Sequence, residues 1–323
     1  MTSLKAIKSP LIIIFTGLIL LVSHHAFAQN TLNEQLTNCQ KIHNDKDRLK
    51  CFDLINNNED EPQLSQHSQS TTIKNNFPAL IADLNEPNLF VSYGKLDFLG
   101  SDFNSVLISL GKRQPVKTFN LTNEHTLSFN VFGQIRSQFD VSEIHTRNNR
   151  GGALINTDFS VGGELQQSLE KWNWRFSYTH KSTHLGDEFI IDHPNYLKGR
   201  INLSYETIRW TAHKNIKQWD MYAGIGFITR SEPSDLGKEM WQIGTQYFGR
   251  TWHGFKPVFA VDLTSWSAYD WNININMRAG IEINQLSDLP FQLLLEYQDG
   301  HAPYGQFYNE DLTYFGLTLL QNW

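Results

Sequence analysis

From Trp271 to Asn284 the chain alternates without a break between apolar and polar side chains. Trp271, Ile273, Ile275, Met277, Ala279, Ile281 and Ile283 hold the odd positions, and Asn272, Asn274, Asn276, Arg278, Gly280, Glu282 and Asn284 the even ones. A period of two places successive side chains on opposite faces of a β-strand. The run is longer than the roughly 5–6 residues usual in soluble sheets, and matches the roughly 9–11 tilted residues that cross a bilayer. Asn, Arg and Glu cannot face lipid, so they line a polar interior while the Ile/Trp face meets acyl chains. The expected fold is all-β: a transmembrane antiparallel up-and-down β-barrel.

Composition fits that expectation. Hydrophobic residues make up 40% and aromatic residues 13% of the 323 positions. No apolar run reaches the roughly 18 residues of a membrane-spanning helix. The formal net charge of −6 is mild, and no basic stripe points to nucleic acid as a partner. A soluble β-sandwich would also alternate, but with shorter strands and without an aromatic residue at the C-terminus.

Residues 1–28 read as an export signal: Lys5 and Lys8, then the short apolar run Leu11 to Val22, then Ala26-Phe27-Ala28 as a cleavage site. Residues 29–55 read as a periplasmic helical hairpin around Asn44-Asp45, stapled by the only two cysteines, Cys39 and Cys51. In an oxidising periplasm such a pair forms a disulfide, worth about 3 kcal/mol for so short a loop. The alternative is metal binding by the cysteines with His43, but zinc normally needs four ligands. Residues 56–76 are polar and read as a linker, and residues 77–323 as the barrel. Within it, Phe77 to Pro87 (FPALIADLNEP) reads as a periplasmic lead-in.

Strands are expected near 126–137, 154–166, 172–183, 199–210, 217–229, 239–249, 256–266, 270–284, 290–299 and 313–323. Leu89–Leu96 and Asn104–Gly111 alternate more weakly, so the count is ten or twelve. Either even number puts both ends on one side of the membrane, the periplasm. Long polar connections (138–153, 184–198, 230–238, 300–312) alternate with short ones (167–171, 211–216, 250–255, 285–289), as external loops alternate with periplasmic turns. The tight turn near Ser267–Tyr269 is the exception. The last strand ends on Trp323, which resembles the signal by which the barrel-assembly machinery receives its clients. Outer-membrane lipid is the expected surrounding, and a homodimer is compatible with it.

The strand Trp172–Ser182 carries the candidate chemistry. Its even face reads Trp172, Trp174, Phe176, Tyr178, His180, Ser182, so a histidine and a serine two residues apart end the lipid face. Side chains at i and i+2 share a face, close enough for imidazole to take a serine proton. His180 is then the base and Ser182 the nucleophile of a lipid esterase. Polar residues at a strand end near the interface cost only about 0–1 kcal/mol and a His or Ser there is ordinary, so plain structure is the leading reading of the pair and the esterase its alternative.

The orienting third residue is open between Asn202, Asp187 and Glu188. Reading Ile201, Leu203 and Tyr205 as the lipid face turns Asn202 into the lumen, and only a β-bulge would re-aim it. Asp187 and Glu188 sit in the external loop, where they could also bind calcium; no other cofactor is expected. Gln134, Arg136, Asn156, Asp158, Asn202, Glu206, Arg278, Glu282 and Glu296 read as lumen filling, since mixed charges in a narrow barrel interlock rather than leave a pore.

Two resemblances extend this reading. FPALIADLNEP, QFDVS (138–142), NTDFSVG (156–162), HKSTHLGDEF (180–189) and RINLSYE (200–206) resemble the family of domain of unknown function 1207, which implies an outer-membrane barrel without an established activity. Separately, His180-x-Ser182 resembles the His-x-Ser followed by Asn of outer-membrane phospholipase A and lipid A 3-O-deacylase, with Thr183 in place of the Asn. CQKIHNDKDRLKCFD is similar to a preface found in several envelope proteins, some of them phospholipase A precursors. The second resemblance implies a lipid acyl hydrolase; because barrels without catalysis are common, a structural, narrow-channel or surface-interaction role is the first expectation and the hydrolase the alternative.

Overall fold

The structure, a computed structural model, describes residues 77–121, 125–142, 152–169, 171–192, 203–283 and 290–321, with a few positions between 41 and 48. The chain divides into two units, Met1–Thr71 and Thr72–Trp323. In the first, Asn44 Oδ1 accepts the Lys46 N–H at 3.0 Å and caps a helical turn at 46–48. Cys39, Cys51 and the export signal lie outside the described residues, as do Asn202 and Trp323.

The second unit is a closed barrel of twelve antiparallel strands in sequence order, with β1 paired to β12. The strands are β1 (Leu89–Phe98), β2 (Ser101–Asn120), β3 (Thr126–Asp140), β4 (Ala153–Ser168), β5 (Asn173–Leu185), β6 (Ser204–Ile216), β7 (Trp219–Glu232), β8 (Glu239–Phe248), β9 (Phe255–Trp266), β10 (Ile273–Ile283), β11 (Phe291–His301) and β12 (Asp311–Gln321). Twelve is the larger of the two expected counts. Among the described residues of this unit a short α-helix, α1 (Asp187–Asp192), lies in the connection after β5.

Alternation sorts the two faces of most strands as expected. On β10, Asn276, Arg278 and Glu282 are buried inside, whereas Ile273 is 53% exposed on the outer wall. The outer wall is apolar all round, with Val91, Val161, Ile225, Ile243, Leu295 and Leu317 among its exposed side chains. An apolar surface this extensive marks a wall made for hydrocarbon.

What fills the interior departs from expectation. The segment Phe77–Pro87 is not a lead-in beside the barrel but runs through its lumen. Phe77, Leu80, Ile81, Ala82, Asp83 and Glu86 are all buried. This segment has no sheet to pair with, so its backbone polar groups need partners, and lumen-facing side chains supply them. Arg278 Nη1 donates to Ile81 O at 2.6 Å, Asn276 Nδ2 to Ala82 O at 2.6 Å, and Gln246 holds both Ala79 O and Ile81 N at 3.0 Å. Asp83 pairs with Arg209 at 3.1 Å, and Glu86 bridges Arg113 at 2.7 Å and Arg175 at 2.9 Å. Arg278 also pairs with Glu296 at 2.7 Å, both side chains fully buried. The mixed charges expected to interlock do so, but around an inserted piece of backbone. Tyr222 crosses above Gly244 to donate to Asp262 Oδ2 at 2.6 Å, and a Cβ at 244 would collide with its ring.

Towards the rim of the longer connections the lumen turns apolar. One cluster joins Phe98, Leu107, Ile155, Phe189, Phe307 and Leu312, and a second joins Leu203, Ile228, Leu236, Trp266 and Tyr269, with Tyr205 packed against it. A cavity of about 160 Å³ remains between the plug and this cap, lined in part by Arg175, Lys181, Arg209 and Trp266.

The apolar cap corrects the expected β6. The strand runs over Ser204–Ile216, not 199–210, so all of the expected turn 211–216 is strand and the chain reverses at 217–218. Leu203 is 1% exposed inside the barrel and Tyr205 packs on Trp266 at a ring separation of 5.9 Å. Both face inward, whereas alternation with Ile201 places them on the lipid face.

Candidate active site on the outer wall

β5 carries Arg175 and Lys181 inward, where they meet Glu86 and Asn85 of the plug. Its even-numbered residues therefore point out: Phe176 and Tyr178 are exposed, and His180 and Ser182 follow them on the same face towards the long-connection rim. The expected placement of His180 and Ser182 matches this geometry. No hydrogen bond joins the two side chains directly.

The residue that holds His180 comes from β6. His180 lies opposite Glu206 in the β5–β6 ladder, and its Nδ1 is 3.2 Å from Glu206 Oε1. A carboxylate can only accept, so Nδ1 carries a proton, and in the neutral imidazole this leaves the lone pair on Nε2. The imidazole side chain is 44% exposed and the carboxylate 17%. Ser182 lies opposite Ser204, one step nearer the rim.

Glu206 was expected in the lumen, and it stands on the outer wall instead. The error follows from the same phase inversion, since Leu203 and Tyr205 face inward and carry Glu206 out. The downstream half of β6 held the usable signal: Trp210 is exposed outside, while Thr211 and His213 are buried inside. Extending that phase upstream puts Glu206 outside without any bulge in β6. Asp187 and Glu188 open α1 as exposed first-turn acids, and neither bonds His180. Among the described residues no three His, Cys, Asp or Glu side chains are grouped as metal ligands.

The arrangement is a serine, a histidine with a free Nε2, and a carboxylate that fixes the imidazole tautomer, on one face of two neighbouring strands. Those are the parts of nucleophilic acyl transfer. Phe159, Val161, Phe176 and Tyr178 surround it with exposed apolar surface.

Among solved structures, outer-membrane phospholipase A from Escherichia coli superposes with a TM-score of 0.53 at 12% identity, covering 73% of this chain and 91% of that one. The Salmonella typhi outer membrane phospholipase, a dimer with bound calcium, gives 0.52 at 12% identity over 77% and 96%. At such identity the likeness is one of fold. No curated protein sequence matches the chain. Residues 75–323 match the family described as protein of unknown function DUF1207, and the chain belongs to that family of outer-membrane-type β-barrels.

Proposed function

We propose that the outer wall of this barrel hydrolyses acyl esters of membrane lipids, with Ser182 as nucleophile, His180 as general base and Glu206 as the residue that orients His180. The observation that carries the reading is the 3.2 Å contact between His180 Nδ1 and Glu206 Oε1, on the face that also bears Ser182. A rotamer change brings the Ser182 hydroxyl to Nε2, since hydrogen bonds of this kind often tighten only when substrate is bound. Nε2 takes the proton as Oγ attacks the ester carbonyl. The imidazolium so formed is stabilised by Glu206 and returns the proton to the departing alcohol. Water, deprotonated by His180, then releases the fatty acid and regenerates Ser182.

The apolar residues below the pair suit an acyl chain lying along the wall. In this reading the long-connection rim is external, both ends of the barrel are periplasmic, and the export signal and the Cys39–Cys51 hairpin precede it. Trp323 would serve barrel assembly, and association of two copies through the wall would shelter the site. The narrow-channel reading is weakened by the plug, whose backbone is bonded to the lumen wall from several strands.

Ser182→Ala is expected to lower fatty-acid release from detergent-solubilised phospholipid by at least about 10³-fold, with heat-modifiable gel migration unchanged. Full activity in that variant would discard the mechanism.

A further inference from the structure

The β6–β7 ladder is regular from Ile216–Trp219 up to Thr207–Ile228, where it slips by one residue. The next pair is Glu206–Arg230, leaving Thr229 as the extra residue of a β-bulge. The Thr229 hydroxyl donates to the Glu206 carbonyl at 3.3 Å and ties the bulge to β6. Below the slip, Ile225 and Phe227 point outward and Ile228 is fully buried inside. Unbroken alternation would send Arg230 into the lumen beside Ile228. The bulge turns it out, and Thr229 and Arg230 are both exposed. Bulges re-aim side chains in this way, often beside functional sites.

The result is a row of register partners across three strands, His180–Glu206–Arg230, with the row Ser182–Ser204–Glu232 two residues further towards the rim on β5. Two strand spacings separate Arg230 from His180, about 10 Å along the wall. Glu206 is engaged with His180, and among the described residues no carboxylate pairs with Arg230. Arg230, without a carboxylate partner among the described residues, thus shares the outer face with Ser182 and stands about two strand spacings to its side, within reach of a phosphate carried by the same lipid.

We infer that Arg230 recognises the phosphate of the acyl lipid, so that the substrate class is a phosphate-bearing diacyl lipid rather than a neutral glyceride. The planar guanidinium matches two phosphate oxygens at once, which an ammonium cannot do. This inference rests on the hydrolase reading, and its test separates the two.

The wild type should release fatty acid from phosphatidylglycerol in preference to diacylglycerol of the same chains. Arg230→Gln should shrink that preference about tenfold through KM, and Arg230→Lys should restore part of it. An unchanged preference in Arg230→Gln overturns the assignment. Native mass spectrometry of the detergent-solubilised full chain supplies a second readout that needs no turnover. Wild type should retain added phosphatidylglycerol, Arg230→Gln should lose it, and glycerol 3-phosphate should bind neither. Equal retention by both proteins, or wild-type binding of glycerol 3-phosphate as strong as that of the lipid, overturns the inference. Retention lost in Arg230→Gln without hydrolysis by wild type supports the phosphate site and removes the hydrolase reading instead.

Discussion

The strands β10 and β6 alternate alike, yet their apolar residues do not all face the same solvent. On β10 the polar residues Asn276, Arg278 and Glu282 are inside and the isoleucines face out. At the start of β6 the apolar Leu203 and Tyr205 are inside and Glu206 is out. The difference lies in what each strand meets across the lumen. β10 faces the plug, whose Ile81 and Ala82 carbonyls demand donors. The start of β6 faces Trp266 and Leu236, which demand apolar contact. An inward residue is therefore polar or apolar according to its neighbour, and hydropathy identifies the lipid face only where the interior is known to be polar.

The largest expected effect breaks the β10 side. Arg278→Ala strands Glu296 as a buried charge and frees Ile81 O, and should cost about 3–5 kcal/mol in reversible urea unfolding from detergent or vesicles. A loss below about 1 kcal/mol would mean that the plug is held by other contacts.

On the β6 side, Leu203→Ala should cost about 2–5 kcal/mol, the range of a buried apolar truncation. If Leu203 faced lipid instead, the same substitution would leave no cavity, and the unfolding midpoint would scarcely move.

A finer comparison concerns Glu206. Its replacement by Leu removes the acceptor for His180 Nδ1 and should lower kcat about 100-fold, whereas Glu206→Gln keeps an acceptor and should lose about tenfold. Equal losses would reduce Glu206 to a packing role.

The smallest effect is topographic. A cysteine at 206 in a Cys39→Ser/Cys51→Ser background should react with a lipid-soluble maleimide, and one at 205 should not. Reversed labelling would overturn the phase of β6.

Much of this was legible in the chain. The period-two runs define strands long enough to cross a membrane, and the alternation of long and short connections sets their parity. The shared outward face of His180 and Ser182 follows from their spacing on β5. Each of these is local: within one strand, geometry alone decides which side chains share a face. Tertiary structure decided the rest. That Glu206 stands beside His180 depends on the β5–β6 register, and that Arg230 joins them depends on a one-residue slip between β6 and β7. FPALIADLNEP enters the lumen because its buried backbone finds partners from β3, β8 and β10, strands far apart in sequence. Periodicity fixes relative orientation within a strand. Register and lumen contents arise from contacts between distant residues, which no single segment encodes.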